Sequence, residues 1–201
     1  KLLYQMLKNK YSTIVDFGSS ELRLAVFNEK LSKLFFQSKK IIQKKNYHEY
    51  FESINLLIKE AESKISNHLE NLIVLYDSPY IYSIDLSIKK KIDQKINLKD
   101  FCSSIILEAN QLIIDCYTNK KIIHSIIKKY IINDKEYFNI PEELISTNSV
   151  IIEMKFICLP FSEYQNVIET FKKNNLNVIN LFSSSLVKSF KYINYFKERN
   201  S

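Results

Sequence analysis

The hydrophobic pattern of the first eighty residues predicts three strands, a helix and a fourth strand. STIVD is a short apolar run, ELRLAVF alternates apolar and polar positions, and LSKLFFQSKKIIQ continues as a third strand. From Tyr47 to Ser66, apolar residues recur at three- and four-residue spacing, which indicates an amphipathic helix. LIVLYDSP is apolar until Asp and Pro stop it, as is typical of a strand buried on both faces. Three antiparallel strands, a helix and a buried strand, in this order, form the first half of a ribonuclease H-like α/β fold.

The pattern changes after this fourth strand. YIYSIDLSIKKKI alternates for a dozen residues, and a helix with Asn97 as its N-cap follows. IIHSIIKKYIINDKEYF predicts strands joined by a turn at Asn133 and Asp134, and SVIIEMKFICLP predicts another strand. We therefore predict an α+β insert, residues 78–161, within a host domain.

The host domain is predicted to comprise residues 1–77 and 162–201. Ser162 and Gln165 predict a capping box ahead of a short helix, NVINLF predicts a strand, and SSSLVKSFKYINYF predicts a final helix. Without the insert, the host elements follow the order β-β-β-α-β-α-β-α.

Composition excludes several kinds of site. A single glycine, Gly18, rules out the GxGxxG and GxxxxGK[ST] phosphate loops and the GxSxG hydrolase turn. The net charge of +7 comes almost entirely from lysines spread among acidic residues, so we expect a solvated surface and no specific nucleic-acid partner. Cys102, Cys116 and Cys158 lack metal-ligand spacing. No apolar run approaches the roughly twenty residues that span a bilayer.

The candidate chemistry lies at the end of the first strand, in Asp16, Phe17, Gly18, Ser19 and Ser20. Glycine tolerates a positive φ and close backbone approach, so adjacent N–H groups of this turn could point at a phosphate. The Asp16 carboxylate would hold Mg²⁺ through water. The same pattern also allows a plain hairpin with glycine at its turn.

A metal-dependent nuclease of the RuvC or ribonuclease H type is the alternative. Asp16, Glu60 or Glu62, and Asp77 would converge on such a sheet, where three carboxylates can hold two metal ions for phosphodiester cleavage. The last predicted helix argues against this alternative, because it supplies no further acidic residue before Glu198.

The order of several segments resembles a known family. DFGSSELRLAVF is similar to the phosphate-1 motif of actin-like ATPases. INLLIKEAES and LIVLYDSPYIYSIDLS resemble a helix and strand of the FtsA family of bacterial cell-division proteins. IIHSI, YIIND, NIPEEL and SVIIEMKFI resemble that family's insert, and FSSSLVKSF resembles its connecting helix of small residues. The resemblance covers nearly the whole chain.

The resemblance implies a fold and a function. The host would be subdomain 1A of an actin-like ATPase, and the insert would be an SHS2 module, subdomain 1C. The family binds ATP with Mg²⁺, here through Asp16, Gly18, Ser19 and Ser20. It polymerises, contacts other division proteins, recruits FtsZ and tethers it to the cytoplasmic side of the inner membrane at the division site.

Two departures from the family pattern qualify these expectations. Glu21 stands where Lys is common, which places negative charge beside the expected phosphates. The chain also stops before the second phosphate loop, the FtsZ-binding subdomain and the C-terminal amphipathic membrane helix. We therefore expect weak nucleotide binding, no ATP turnover and no stable membrane binding by these residues alone.

Overall fold

A computed structural model describes residues 11–18, 21–40, 47–92, 97–141 and 149–190, with the backbone alone for 47–51. The chain divides into two compact units, the first formed by residues 1–79 and 163–201 and the second by residues 80–162. The hydrophobic pattern predicts residues 78–161 for the insert, and the second unit comprises residues 80–162.

The elements follow one another in an order that the hydrophobic pattern predicts. The helices are α1 (Tyr47–Ile65), α2 (Leu98–Cys116), α3 (Phe161–Lys172) and α4, which the structure describes over 184–190. The strands are β1 (Tyr11–Phe17), β2 (Glu21–Asn28), β3 (Lys33–Lys40), β4 (Asn71–Tyr76), β5 (Tyr82–Lys91), β6 (Lys120–Ile132), β7 (Lys135–Tyr137), β8 (Ser149–Pro160) and β9 (Asn177–Ser183).

The first unit is built on a five-stranded sheet in the order β3-β2-β1-β4-β9. β1, β4 and β9 run parallel, whereas β2 and β3 are antiparallel neighbours. Because parallel strands end at the same edge of a sheet, the carboxyl ends of β1, β4 and β9 lie side by side. This edge receives Asp16 from β1 and the start of α4 after β9.

Helices pack against this sheet. α1 packs against β2 and β3, and its residues Ile54 and Ala61 are buried. Phe171 of α3 makes an edge contact with Phe17 of β1, with ring centroids 5.7 Å apart. Burying each such large apolar side chain contributes about 2 kcal/mol. This burial explains why β1 and β4 read as nearly continuous apolar runs.

The second unit is a four-stranded antiparallel sheet in the order β5-β8-β6-β7, with α2 on one face. Its core includes Ile105 and Ile113 of α2 and Met154 and Phe156 of β8. Among the described residues, β5 lies at the edge of this sheet, whereas β8 lies between β5 and β6. Of the two long alternating strands of the insert, only β5 is therefore an edge strand.

Two local predictions for the insert are confirmed. The Asn97 side chain accepts hydrogen bonds from the backbone N–H groups of Lys99 and Asp100, as expected of the N-cap of α2. Asn133 and Asp134 both have positive φ, 49° and 60°, in the tight turn between β6 and β7.

The predicted capping box of α3 is wrong. The helix begins at Phe161, so Ser162 lies inside its first turn and cannot be the N-cap that pairs with Gln165. The backbone N–H of Phe161 instead donates to the Asn119 carbonyl oxygen at 2.9 Å. A contact distant in sequence therefore satisfies an N–H group at the start of this helix.

In the described residues, no helix is both long and apolar enough to cross a membrane.

Candidate functional site

The structure places Asp16 at the carboxyl end of β1, buried with 8% of its surface exposed. Two side chains bind its carboxylate. Ser184 Oγ donates to Oδ1 at 2.9 Å, and Arg23 Nη1 donates to Oδ2 at 2.9 Å. Arg23 lies directly opposite Asp16 in the β1–β2 ladder, and Ser184 is the first residue of α4. The buried charge is thus paired and hydrogen-bonded, as buried carboxylates require.

Arg23 also binds Glu21. Its Nη2 and Nε atoms lie 2.7 and 3.0 Å from Glu21 Oε2, and Ser38 Oγ donates to the same oxygen at 3.1 Å. The hydrogen bond from Arg23 lowers the pKa of Glu21, and the Glu21 carboxylate raises the pKa of Arg23. The single guanidinium group of Arg23 is therefore shared between two carboxylates, those of Asp16 and Glu21.

Gly18 shows one of the two properties expected of it. Its φ is not positive, so the expectation of a left-handed conformation is wrong, whereas the expected close approach of the backbone is present. Its N–H donates to the Glu21 carbonyl oxygen at 3.0 Å, which closes the hairpin. A Cβ at this position would lie 2.8 Å from that oxygen, closer than real Cβ contacts come. Glycine therefore permits the close approach of two backbones.

In the described part of the turn, the groups expected to hold an Mg²⁺–nucleotide already have partners within the protein. Both oxygens of the Asp16 carboxylate already accept hydrogen bonds, one of them from a cationic group. The Gly18 N–H donates within the hairpin, to the Glu21 carbonyl oxygen. Ser19 and Ser20, the other two predicted phosphate contacts, lie outside the described residues.

The carboxylates of the nuclease alternative do not come together. Asp77 follows β4 at the same edge as Asp16, but its side chain is exposed. Glu62 Oε1 accepts the backbone N–H of Leu69 at 2.9 Å, just before β4 begins, and therefore lies towards the opposite edge of the sheet. Glu60 is exposed on α1. The described part of the chain holds no group of three His, Cys, Asp or Glu residues that could bind a metal.

Sequence reasoning missed the two partners of Asp16. Arg23 had a signal, because a tight turn after Gly18 places it opposite Asp16, on the same face of the ladder. The sequence marks Ser184 only as one of three serines at the start of the last predicted helix. Its hydrogen bond joins residues 168 positions apart, so only the order of the parallel strands could have revealed it.

The insert offers a second candidate surface, the outer edge of β5. Ten residues form this strand, and its side chains alternate between half-buried and exposed. The exposed positions include Ser83, Asp85, Ser87 and Lys89. No other described strand pairs with this side of β5. Its outward backbone N–H and C=O groups are therefore open to pairing with another chain.

The comparisons with known proteins rest on structure. No family model matches the chain, and no curated protein matches it by sequence. The structure is similar to that of a PilM-PilN type IV pilus biogenesis complex, with a TM-score of 0.52 and 12% identity over 86% of this chain and 47% of that one.

Two further solved structures are similar at lower scores. The cytoplasmic domain of EpsL, an inner membrane component of the Vibrio cholerae type II secretion system, gives a TM-score of 0.38 at 12% identity over 86% of this chain and 55% of that one. A Bacteroides thetaiotaomicron protein with an actin-like ATPase fold gives 0.37 at 12% identity over 90% and 55%. These two scores are too low to carry an argument.

The chain spans about half the length of these three solved structures. At such low identity, the likeness to the PilM-PilN structure concerns the fold alone. The mixed α/β architecture, with its β3-β2-β1-β4-β9 sheet, is therefore similar in fold to the PilM-PilN structure.

Proposed function

We propose that the chain is the first part of an actin-like scaffold protein of the FtsA type, and that its insert, an SHS2 module, assembles copies of the protein through β5. The segment DFGSSELRLAVF, which is similar to the phosphate-1 motif, supports an actin-like protein, and the likeness in fold to the PilM-PilN structure supports a protein that works within a multi-protein complex. The order of motifs along the chain supports the FtsA type. The observation that carries the assembly step is the self-complementary edge of β5.

Two copies of β5 can pair antiparallel so that opposite charges face each other. If the two-fold axis passes through Ser87, Asp85 of each copy lies opposite Lys89 of the other, because both are equally far from Ser87 along the strand. A symmetric dimer contains this ion pair twice. Opposite charges on facing strands contribute about 0.2–1 kcal/mol each, in addition to the new backbone hydrogen bonds.

The intramolecular contacts of Asp85 leave room for this pairing. Its side chain is 55% exposed, and its nearest cations, Lys128 and Lys155, are 3.5 and 3.8 Å away. Ion pairs this long and this exposed contribute little to stability. Asp85 can therefore exchange them for a partner across a new strand pair at low cost.

A cysteine at the axis tests the proposed geometry. Ser87→Cys would place two thiols on directly opposite residues, where Cα atoms are about 4.5–5.5 Å apart and a disulfide can form. The experiment uses the Cys116→Ser background, because Cys116 is the exposed native cysteine and Cys102 and Cys158 are buried. We expect rapid covalent dimer formation under mild oxidation.

Ser83→Cys in the same background is the matched control. Ser83 is an exposed serine on the same face of β5, but its two copies would be roughly 26 Å apart in the proposed pairing. Equal cross-linking of the two variants would contradict the register. A charge reversal provides a second measurement, since Asp85→Lys should weaken self-association in sedimentation and added Lys89→Asp should restore it.

The resemblance extends the proposal to the longer protein. As a division scaffold it would recruit FtsZ and would lie at the cytoplasmic side of the inner membrane, held there by a C-terminal amphipathic helix. Co-sedimentation of the full-length protein with FtsZ polymers tests this part. If the protein stays in the supernatant while β5 still cross-links, the FtsA-type role is wrong and the assembly role stands.

We also propose that ATP and Mg²⁺ bind weakly and without measurable hydrolysis. The support is the guanidinium of Arg23, which already occupies one side of the Asp16 carboxylate. Titration calorimetry of this chain with Mg²⁺–ATP should show no affinity in the micromolar range. Micromolar binding that Asp16→Asn abolishes would contradict the proposal of weak binding and show that the turn is a working nucleotide site.

A further inference from the structure

The outer edge of β3 lies in the first unit, at one end of its sheet. No described strand pairs with this side of β3. On its other side, the ladder with β2 runs in unbroken register from Phe35 to Lys40. The register shifts between Val26 and Phe27 of β2, beyond that segment. Residues 35–40 therefore form a regular strand edge in the described part of the chain.

The bonds of β2 show which backbone groups of β3 point outward. The Gly18 N–H donates to the carbonyl oxygen of Glu21, so the odd-numbered residues of β2 bond β1. Successive residues of an antiparallel strand bond opposite neighbours, so the even-numbered residues of β2 bond β3. Asn28 agrees with this order, because its N–H donates to the Ser32 carbonyl oxygen at 3.0 Å, on the β3 side.

The same alternation continues into β3. Gln37 and Lys39 lie opposite even-numbered residues of β2 and therefore bond that strand. Phe36 and Ser38 are their neighbours in the chain, so their N–H and C=O groups turn to the outer edge. No described strand receives these groups. A further strand beside β3 would bond them, as in proteins that bind a peptide by adding it to a sheet.

The two faces of β3 differ in character. On the face without α1, the Phe36 ring lies opposite Ala25 and is 54% exposed. On the face that carries α1, Phe35 is buried, and Lys64 of α1 lies over its ring with Nζ 5.9 Å from the centroid. Lys39 shares that face, because it is four residues along the strand, and it is exposed. An added strand would thus have an aromatic ring beside one face and two lysines beside the other.

Charge indicates what kind of strand fits this edge. β3 contains Lys33, Lys39 and Lys40 and no Asp or Glu. A second copy of β3 is a poor occupant, since it would add its own lysines without an opposite charge. A strand of alternating acidic and apolar residues matches both faces. Its acidic side chains would lie beside Lys39 and Lys64, and its apolar side chains would lie beside Phe36.

We infer that the outer edge of β3 binds an extended acidic segment of another protein, which joins the sheet as an extra strand. The backbone groups of Phe36 and Ser38 hold the segment. Its acidic side chains bind Lys39 and Lys64 on the α1 face, and its apolar side chains pack on the ring of Phe36. The site belongs to the first unit and shares no residue with β5, so it does not depend on the proposed self-assembly.

A synthetic probe tests the inference with the whole chain. A fluorescein-labelled octapeptide of alternating Glu and Val carries its charge on one face and has high strand propensity. We expect saturable binding by fluorescence anisotropy, and no binding of the same peptide with Lys in place of Glu. Lysines on an edge strand are also a means of preventing strand pairing. If the acidic peptide does not bind, the lysines of β3 have that role alone and the inference is wrong.

Hydrogen exchange followed by NMR locates the added strand. The outward N–H groups of Phe36 and Ser38 should exchange faster in the free protein than those of Gln37 and Lys39, which bond β2. Saturating peptide should slow exchange at Phe36 and Ser38 by roughly tenfold or more and change the other two less. Binding that leaves Phe36 and Ser38 unprotected would overturn strand addition.

Charge reversal at two lysines separates this site from general attraction to a basic protein. Lys39→Glu should weaken peptide binding by about fivefold, because a cross-strand attraction becomes a repulsion. Lys59→Glu is the matched control, since Lys59 is exposed on α1 and lies five residues before Lys64, on another side of the helix. It should change binding by less than about twofold. Equal losses would overturn the inference.

A second pair of variants tests the apolar contact. Phe36 and Leu56 are both 54% exposed, but Leu56 lies on α1. Phe36→Thr keeps strand propensity and should weaken peptide binding by about fivefold, whereas Leu56→Gln keeps helix propensity and should change it by less than about twofold. Circular dichroism checks that both variants are folded. Unchanged binding by folded Phe36→Thr would contradict the proposed orientation of the added strand.

Discussion

Replacing Ser184 by Ala isolates one hydrogen bond to the buried carboxylate of Asp16. Ser184 is fully buried, and its hydroxyl donates to Asp16 Oδ1 at 2.9 Å. A hydrogen bond to a charged group contributes about 1.5–3 kcal/mol, and its loss leaves a buried acceptor unsatisfied. The slightly higher helix propensity of Ala offsets a few tenths of this. We expect the free energy of unfolding of the first unit to fall by about 2 kcal/mol.

Ser38→Ala is the matched control for this prediction. Ser38 also donates to a carboxylate, Glu21 Oε2 at 3.1 Å, and belongs to the same unit, but it is exposed on β3. Water can replace its hydroxyl, so we expect a much smaller loss. Urea unfolding followed by circular dichroism measures the stability, and hydrogen exchange of the β1 amides assigns the transition to the first unit. Equal losses in the two variants would refute the reasoning.

A double-mutant cycle tests whether the loss runs through Asp16. In the Asp16→Asn background the acceptor is neutral, so Ser184→Ala should cost less there by at least about 1 kcal/mol. An unchanged cost would show that Ser184 stabilises α4 by another route, such as packing at the start of the helix.

Three further predictions concern single positions. Gly18→Ala should destabilise the first unit by about 1–3 kcal/mol in urea unfolding, because its Cβ would meet the Glu21 carbonyl oxygen at 2.8 Å; unchanged stability would show that the hairpin opens freely. Tyr82→Phe should be neutral or stabilising by up to about 1 kcal/mol, because no described residue gives the buried Tyr82 hydroxyl a hydrogen-bond partner; a clear loss of stability would reveal one. Burial lowers the pKa of His124 below its ordinary 6.5, so the folded state binds its proton less readily than the unfolded state. The stability that neutral His124 contributes is present above pH 6.5 and is lost as pH falls, and His124→Gln should flatten this part of the pH profile in thermal unfolding.

Much of the fold could be predicted because its signals are local. The alternation in β5, the helical spacing in α1 and the Asn97 cap each depend on residues within one or two turns of each other. The start of α3 could not be predicted in the same way. A carbonyl group from Asn119 satisfies the N–H of Phe161, and this contact overrides the local Ser162 signal.

In the candidate site, too, local features could be predicted and contacts between distant residues could not. Sequence placed Asp16 at a strand end and Gly18 at a turn, because a strand followed by a tight turn is a local pattern. It could not show that the Asp16 carboxylate is shared between Arg23 and Ser184, since that depends on which strands become neighbours. The sequence also grouped Glu62 with Asp16, although Glu62 of α1 binds the backbone just before β4 begins, whereas Asp16 lies where β1 ends, at the opposite edge of the sheet.

By itself, the sequence determined the kinds of elements and their order, because periodicity and turn chemistry act over a few residues. The tertiary structure decided which carboxylate is buried, which cation neutralises it, and which strands keep an open edge. Those properties depend on contacts between distant residues, such as the 168 positions that separate Asp16 from Ser184. Strand order alone brings such residues within hydrogen-bonding distance.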